Sequence, residues 1–131
     1  MKIESNSLLR VIDANINRYK EGIRVVEDIY RYIYNDKEIA SKLKSLRHIN
    51  IPINIKELLS ARDSINDVLK SSTKSEQTRK NLENIIIANI KRAEESARVL
   101  EEIFKLTDIK TSEIFKNNRY SLYNIEKIIL Q

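Results

Sequence analysis

The residues with the clearest chemistry are arginines and asparagines that recur at fixed places in the chain. The segment ANINRYKEGIRVVEDIY, residues 14–30, returns 74 positions later as ANIKRAEESARVLEEIF, residues 88–104. Each copy places an asparagine three residues before an arginine, as Asn15 with Arg18 and as Asn89 with Arg92. A guanidinium group binds phosphate through paired hydrogen bonds, and a neighbouring amide can add a donor and an acceptor. The repeat therefore predicts two similar half-sites for phosphorylated ligands.

Helical periodicity places both pairs in stripes that are otherwise aliphatic, with a small residue, Gly22 in the first copy, one turn after the arginine. A charge inside an apolar stripe is costly unless an anion meets it. Two hypotheses stay open: Arg18 and Arg92 converge near a pseudo-two-fold axis and bind phosphate, or each pairs with a carboxylate of a neighbouring helix. Eight other charged residues of the two copies are predicted to lie on outer, solvated faces: Glu21, Arg24, Glu27, Asp28, Glu95, Arg98, Glu101 and Glu102.

A shorter match follows each long segment. KLKSLRH, residues 42–48, corresponds to IFKNNRY, residues 114–120, at an offset of 72. Each half thus reads as a long helix and a shorter returning helix, whose arginine, Arg47 or Arg119, is a further candidate phosphate ligand. His48, the single histidine, is grouped with Arg47 because it follows directly, although a lone histidine is more often a structural residue.

The segment between the repeats, residues 52–76, has no counterpart in the other half and carries the candidate catalytic residues. Asp63 and Asp67 are four residues apart, so a helical turn would place both carboxylates on one side, next to Arg62. Mg²⁺ binds a few carboxylates together with phosphate oxygens and water, which makes this pair the candidate metal ligands. The alternative is a capping aspartate and a loop aspartate. Arg79 follows in a hydroxyl-rich stretch, where a helix N-terminus would attract an anion.

Long helices are needed to position these residues, and the composition favours them. One glycine and one proline in 131 residues leave few positions that would break a helix. The pattern predicts helices over residues 8–34, 37–49 and 55–62, a loop over 63–76, and helices from Ser75 to about Leu106 and over 112–130. The expected N-caps are Ser5 or Ser7, Asp36, Ser75 or Thr78, and Thr111. The predicted fold is an all-α bundle of about five helices in one domain, residues 1–131, built from two similar hairpins with pseudo-two-fold symmetry.

The charge and composition exclude several classes of protein. A net charge of +5 suits nucleic acid or small phosphorylated ligands, but the basic residues are spread along the chain without a basic block, so no nucleic-acid partner is predicted. No apolar run of about 18 residues is present, which argues against a membrane span. The absence of cysteine is typical of a reducing cytoplasm. With a single glycine, the glycine-rich nucleotide loops cannot be built. These features exclude neither a monomer nor a homo-oligomer.

Six blocks of the sequence, in the same order, resemble the small hydroxymethylpyrimidine phosphate kinase family of thiamine biosynthesis. They are RVIDANINRYKEGIRVVEDIYRY, LRH, ARDSINDV, STKSEQTRKNL, ANIKRAEESARVLEE and RYSLYNIEK. Members of that family occur alone or fused to thiamine phosphate synthase, and the resemblance runs from Arg10 to Lys127. It implies ATP-dependent phosphorylation of 4-amino-5-hydroxymethyl-2-methylpyrimidine phosphate to the diphosphate by a stand-alone protein, with the free alcohol excluded as a substrate.

This activity would give the candidate residues definite roles, because phosphoryl transfer depends mainly on positioning and charge neutralisation. The phosphate ligands would be Arg18, Arg47, Arg92 and Arg119, with Asn15 and Asn89 on the pyrimidine or a phosphate, and Asp63 and Asp67 on the Mg²⁺ that accompanies ATP. The alternative from another class is a non-catalytic helical module that binds a partner protein. An exposed apolar stripe on the first helix would favour that alternative, and a pocket lined by Arg18, Arg92 and Asp63 would favour the kinase.

Overall fold

The structure, a computed structural model, describes residues 5–131 apart from the side chain of Ser75. Within this part of the chain every regular element is helical. The elements are α1 (Ser5–Asp28), which continues into a π-helical turn (Ile29–Ile33), α2 (Lys37–Arg47), α3 (Ile55–Ala61), α4 (Lys74–Gln77), α5 (Leu82–Phe104) and α6 (Ile109–Leu130). The predicted all-α bundle of about five helices is confirmed, with α4 as an additional single turn. No described helix is long and apolar enough to cross a membrane.

Side chains that accept hydrogen bonds from backbone N–H groups determine where α2 and α5 begin. Asp36 caps α2 as predicted, since its Oδ1 accepts from the N–H of Ile39 at 3.0 Å. The predicted start of the fourth long helix at Ser75 or Thr78 is wrong. The chain forms the separate turn α4 there, and Asn81 caps α5 instead. Asparagine is at least as good an N-cap as serine or threonine, so the capping residue nearest the apolar run prevails.

The same competition decides the start of the last helix. Asp108 caps α6, and its carboxylate accepts from both the N–H and the hydroxyl of Thr111, at 3.3 and 2.7 Å. The prediction that Thr111 is the cap is therefore wrong, because the stronger capping residue stands three positions earlier. Ser5 and Ser7 both lie within α1, and the residue before α1 is outside the described range.

The centre of the bundle is the pair α1 and α5, with α2 and α3 packed on α1 and α6 packed on α5. Tyr19 is fully buried, and its ring meets the ring of Phe115 edge-on at 5.5 Å. Its hydroxyl donates to the carbonyl oxygen of Leu46 at 2.6 Å and accepts from Nδ2 of Asn118 at 3.0 Å. The Tyr19 side chain therefore links α1, α2 and α6. The packing of α2 on α1 and of α6 on α5 makes each repeated half a helical hairpin, as predicted.

Gly22 is the point of closest approach between the two central helices. A Cβ atom at this position would lie 2.7 Å from the carbonyl oxygen of Asn89 and 3.3 Å from the backbone nitrogen of Ala93. Both contacts are with helical backbone, which cannot move as a side chain can. The close packing of the two helices thus requires glycine at this position, which explains why the repeat has a small residue there.

Candidate active site

A cleft of about 590 Å³ lies between the N-terminal half of α1 and the turn that follows α3. Its lining residues are Ser7, Arg10, Val11, Asp13, Ala14, Asn15, Asn17 and Arg18 from α1, and Arg62, Asp63, Ser64 and Asp67 from the turn. Five of the predicted site residues meet here: Asn15, Arg18, Arg62, Asp63 and Asp67. The fold thus joins the first copy of the repeat to the unrepeated segment in one concave site.

Arg62 is held in this cleft by a carboxylate that the sequence patterns did not single out. Its Nε donates to Oδ2 of Asp13 at 2.7 Å and its Nη2 donates to Oδ1 at 2.8 Å. Asp13 is buried in α1, whereas the Arg62 side chain is 41% exposed. The hydrogen bonds and charge of Asp13 raise the pKa of Arg62 above its ordinary value. Arg62 therefore stays charged, and its Nη1 makes no hydrogen bond with the described residues.

Arg18 is exposed and makes no hydrogen bond or salt bridge with the residues that the structure describes. The aliphatic stripe to which it belongs is only partly buried: Val11 and Val25, two turns away on either side, are 38% and 36% exposed, whereas Asn15 and Gly22 are buried. Arg92, its equivalent in the repeat, is also exposed, and its guanidinium has no partner among the described residues. The hypothesis that each arginine pairs with a carboxylate of a neighbouring helix is therefore wrong, and the guanidinium of Arg18 is available to an anion in the cleft.

The two asparagines of the repeat behave alike. Nδ2 of Asn15 donates to the carbonyl oxygen of Val11 at 2.9 Å, and Nδ2 of Asn89 donates to that of Ile85 at 2.8 Å. Each amide thus bonds to its own helix four residues earlier, which fixes the side chain beside the arginine. Asn15 is buried and lines the cleft, whereas Asn89 belongs to the other half and does not line it.

Asp63 and Asp67 line the cleft from a turn, not from the helical turn that their spacing predicted. Asp63 accepts from the side-chain and backbone nitrogens of Asn66 at 2.8 and 3.1 Å, and these bonds lower its pKa. Asp67 accepts from the N–H of Leu69 at 3.0 Å. These local bonds agree with the alternative hypothesis of a capping aspartate and a loop aspartate, and both residues line the cleft.

The residues fit a Mg²⁺ ion only in combination with a phosphorylated ligand. No group of three or more histidine, cysteine, aspartate or glutamate side chains is arranged to hold a metal within the described part of the chain. Mg²⁺ commonly takes one or two carboxylates and completes its shell with substrate phosphates and water. Asp63 and Asp67 match that incomplete donor set, so a phosphorylated ligand and water would have to complete the shell of a metal here.

Arg47 and Arg119, predicted as phosphate ligands, form buried ion pairs at equivalent places in the two hairpins. Arg47 donates to Oε1 of Glu27 at 2.7 Å, and Arg119 donates to Oε1 of Glu101 at 2.8 Å. The prediction that Glu27 and Glu101 lie on solvated faces is wrong, because they are only 1% and 4% exposed. Burial by itself raises the pKa of Glu27, but the hydrogen bond and charge of Arg47 outweigh it and hold the pKa below its usual value. Neither arginine lines the cleft.

The remaining candidates do not line the cleft either. His48 is exposed at the C-terminal end of α2. Arg79 is exposed in the segment between α4 and α5 and donates to the carbonyl oxygen of Thr78 at 3.0 Å. Conversely, the cleft contains two residues that the sequence reasoning missed, Asp13 and Arg10, of which Arg10 donates to the carbonyl oxygen of Asp63 at 3.1 Å. Both flank the repeated segment closely, but their partners are about fifty residues away, so helical spacing contained no signal for them.

A buried carboxyl pair between α5 and α6 should make the stability of the bundle depend on pH. Glu94 is 3% exposed, and burial together with the charge of Glu126 raises its pKa to about 7, although Lys91 contacts both carboxylates at 3.3 and 2.9 Å. A raised pKa stabilises the folded state below the ordinary value of 4.5, and this contribution is lost as the pH rises past 7. We expect the free energy of unfolding to fall by about 2 kcal/mol between pH 5 and pH 8. Urea unfolding at the two pH values measures it.

Glu94→Gln provides the control, because glutamine keeps the shape of the side chain without a titrating proton. The variant should lose most of the decline in stability over this pH range. An equally steep decline in Glu94→Gln would assign the pH dependence to other groups.

The fold and the cleft define a small all-helical bundle with a polar site where its longest helix meets an inserted turn. The sequence profile of the ThiD2 family matches residues 10–128, so the chain belongs to the ThiD2 family. It is 37% identical to a thiamine-phosphate synthase of Synechocystis sp. over 125 residues, which are 95% of this chain and 36% of that protein.

Two further relatives have the same name and a similar overlap. The thiamine-phosphate synthase of Thermosynechococcus vestitus is 35% identical over 127 residues, 96% of this chain and 36% of that protein. That of Rhodopirellula baltica is 35% identical over 126 residues, 92% of this chain and 33% of that protein. The chain therefore spans about a third of the length of these curated relatives. No solved structure matches it significantly.

Proposed function

We propose that the protein is an enzyme of thiamine biosynthesis that phosphorylates 4-amino-5-hydroxymethyl-2-methylpyrimidine phosphate to the diphosphate, with ATP as the phosphoryl donor. Membership of the ThiD2 family and the names of the relatives support a role in this pathway. The phosphoryl transfer itself is our interpretation of the cleft.

The observation that carries this proposal is the distribution of charge in the cleft. Arg18 has no partner among the described residues, and Arg62 is oriented by Asp13, so two guanidinium groups are available to anionic ligands. Both substrates of the proposed reaction carry phosphate, and arginine binds phosphate with paired, charge-assisted hydrogen bonds. Asp63 and Asp67 then supply the carboxylates that a nucleotide-bound Mg²⁺ requires.

The reaction needs positioning more than it needs acid–base chemistry. An oxygen of the acceptor phosphate attacks the γ-phosphorus of ATP, the new P–O bond forms, and the bond to the β,γ-bridging oxygen breaks to release ADP. The acceptor phosphate is ionised at neutral pH, so no strong general base has to remove a proton. Arg18 and Arg62 would neutralise charge on the transferring group and hold the two phosphates in line. Bound Mg²⁺ would neutralise further charge on the donor phosphates.

A non-catalytic interaction module is the competing function, and specific residues favour it. Ile65, Val68 and Leu69, in the turns after α3, are 78%, 93% and 83% exposed. These side chains could pack against another protein. They lie in the same segment as the cleft-lining aspartates, but none of the three lines the cleft. Catalysis therefore has to be tested directly.

The direct test also examines selectivity. Incubation of the protein with ATP, Mg²⁺ and the pyrimidine monophosphate should yield the diphosphate and ADP, detected by mass spectrometry and phosphorus NMR. The free hydroxymethylpyrimidine lacks the phosphate that the arginines would bind, so its kcat/KM should be lower by about 100-fold or more. Equal turnover of the two acceptors would contradict a phosphate-binding role for the arginines, and no turnover of either would contradict the proposed function.

A further inference from the structure

We infer that Asp13 is the positioning residue of this site, and that its function is to orient the guanidinium of Arg62 towards the phosphates in the cleft. The inference deepens the proposed function and rests on it. It assigns a role to Asp13, a residue that is not part of the repeated pattern and does not belong to the unrepeated segment.

The geometry of the pair leaves one side of the guanidinium free. The carboxylate of Asp13 accepts two short hydrogen bonds from Arg62, one from Nε at 2.7 Å and one from Nη2 at 2.8 Å. Nη1 makes no hydrogen bond with the described residues, so its two N–H groups and the second N–H of Nη2 are not committed to Asp13. A side chain held along one edge in this way presents its remaining donors in a fixed direction, which is the arrangement a bidentate phosphate contact requires.

The surroundings of the pair fix both partners. Asp13 is 5% exposed and also accepts from Nδ2 of Asn17 at 3.4 Å, so its carboxylate is held within α1. The backbone N–H of Arg62 donates to the carbonyl oxygens of Leu58 and Leu59 at the end of α3. The backbone of Arg62 is therefore held by hydrogen bonds to α3, and its side chain is held by hydrogen bonds to α1. Such double anchoring lowers the entropy that a flexible arginine would lose on binding a ligand.

This pair differs from the other ion pairs of the bundle in its place at the cleft. Lys91 with Glu94 and Arg98 with Glu101 also join an exposed cation to a buried carboxylate, but neither pair lines the cleft. Glu27 and Arg47 also pair through two bonds, but the side chain of Arg47 is only 16% exposed and does not line the cleft. The Arg62 side chain is 41% exposed and lines it. A buried pair serves packing, whereas a pair with one buried and one accessible member can present a charge to a ligand.

The decisive experiment is a double-mutant cycle on kcat/KM with Asp13→Asn, Arg62→Met and the double variant, all measured per folded molecule. If Asp13 acts only through Arg62, Asp13→Asn should lower kcat/KM by about 10- to 100-fold. The double variant should then be no worse than Arg62→Met alone. Asp13→Glu, which keeps the charge, should recover part of the loss. Losses that multiply in the double variant, or normal turnover in Asp13→Asn, would overturn the inference.

Two measurements separate this role from a purely structural one. In ¹⁵N-arginine NMR spectra, the Nε–H of Arg62 should exchange slowly with water in the wild type and rapidly in Asp13→Asn. Inorganic pyrophosphate should shift this signal in the wild type and bind about tenfold more weakly to Asp13→Asn. The matched control is Glu27→Gln, which should lower stability and leave pyrophosphate binding and turnover per folded molecule unchanged.

The outcomes also distinguish the inference from the function on which it rests. A wild-type protein that binds pyrophosphate through Arg62 but transfers no phosphoryl group would refute the proposed kinase activity and leave the positioning role supported. A wild-type protein that forms the diphosphate while Asp13→Asn and Glu27→Gln behave alike would refute the positioning role alone.

Discussion

Replacing Arg18 by methionine should abolish most of the proposed phosphoryl transfer and leave the bundle folded. The side chain is exposed and has no partner among the described residues, so its removal breaks no ion pair and opens no cavity. In the cleft it would meet a phosphate group, and the loss of one charge placed at the transferring group costs about 10² to 10³ in turnover. Steady-state kinetics with the pyrimidine monophosphate and thermal unfolding measure the two effects.

Arg24→Met is the matched control for this prediction. Arg24 lies on the same helix, and its salt bridge to Asp28 is at the surface, with the side chains 52% and 44% exposed. This variant should keep nearly full activity and stability, because exposed ion pairs contribute little. Arg92→Met tests the two-half-site hypothesis that the repeat raised. An equal loss in Arg92→Met would support a ligand in each half, whereas an unaffected variant would restrict the site to the cleft beside Arg18.

Replacing Gly22 by leucine should destabilise the fold by about 3 kcal/mol or more, and it is the substitution with the largest expected effect on stability. The first side-chain carbon alone would lie 2.7 Å from the carbonyl oxygen of Asn89, inside the contact of two helices. α1 and α5 would have to separate, which would disturb the core around Tyr19. Chemical denaturation measures the loss, and near-wild-type stability would contradict the close packing.

Alanine at the two equivalent positions provides the control. Gly22→Ala favours the helix by about 1 kcal/mol through its propensity, but it meets the same backbone, so we expect a net loss. Ser96 is the repeat equivalent of Gly22, it is 2% exposed, and its hydroxyl donates to the carbonyl oxygens of Arg92 and Ala93 in its own helix. Ser96→Ala adds no atom at the interface and should change stability by less than about 1 kcal/mol.

Local patterns were sufficient for the elements of the fold and for part of the candidate site. The two long helices, the returning helices and the cap at Asp36 follow from spacing that is satisfied within a few residues. The spacing also selected Arg18 and Arg62, which share the cleft. The spacing did not identify Asn81 and Asp108 as the N-caps of α5 and α6, because several neighbouring residues can cap a helix and only one does.

The burial of charged side chains and their pairing between helices could not be predicted from local patterns. Glu27 and Glu101 have the spacing of exposed helical charges, yet they are buried because Arg47 and Arg119 reach them from the returning helices. The arginine of the stripe, Arg18, has the opposite outcome: it is exposed, although Asn15 and Gly22 of the same stripe are buried. The periodicity of one helix specifies which residues share a face, but the neighbouring elements decide whether that face is covered.

The sequence by itself determined that this protein is an all-α bundle of two similar hairpins, because helix formation and the repeat are encoded within short stretches of chain. Only the tertiary structure decided which polar residues face a ligand and which face each other. The pair of Asp13 with Arg62 spans 49 positions and joins a repeated helix to the unrepeated turn. Such a contact exists only after α3 packs on α1, since the energy of an ion pair depends on a distance in space and on the burial around it.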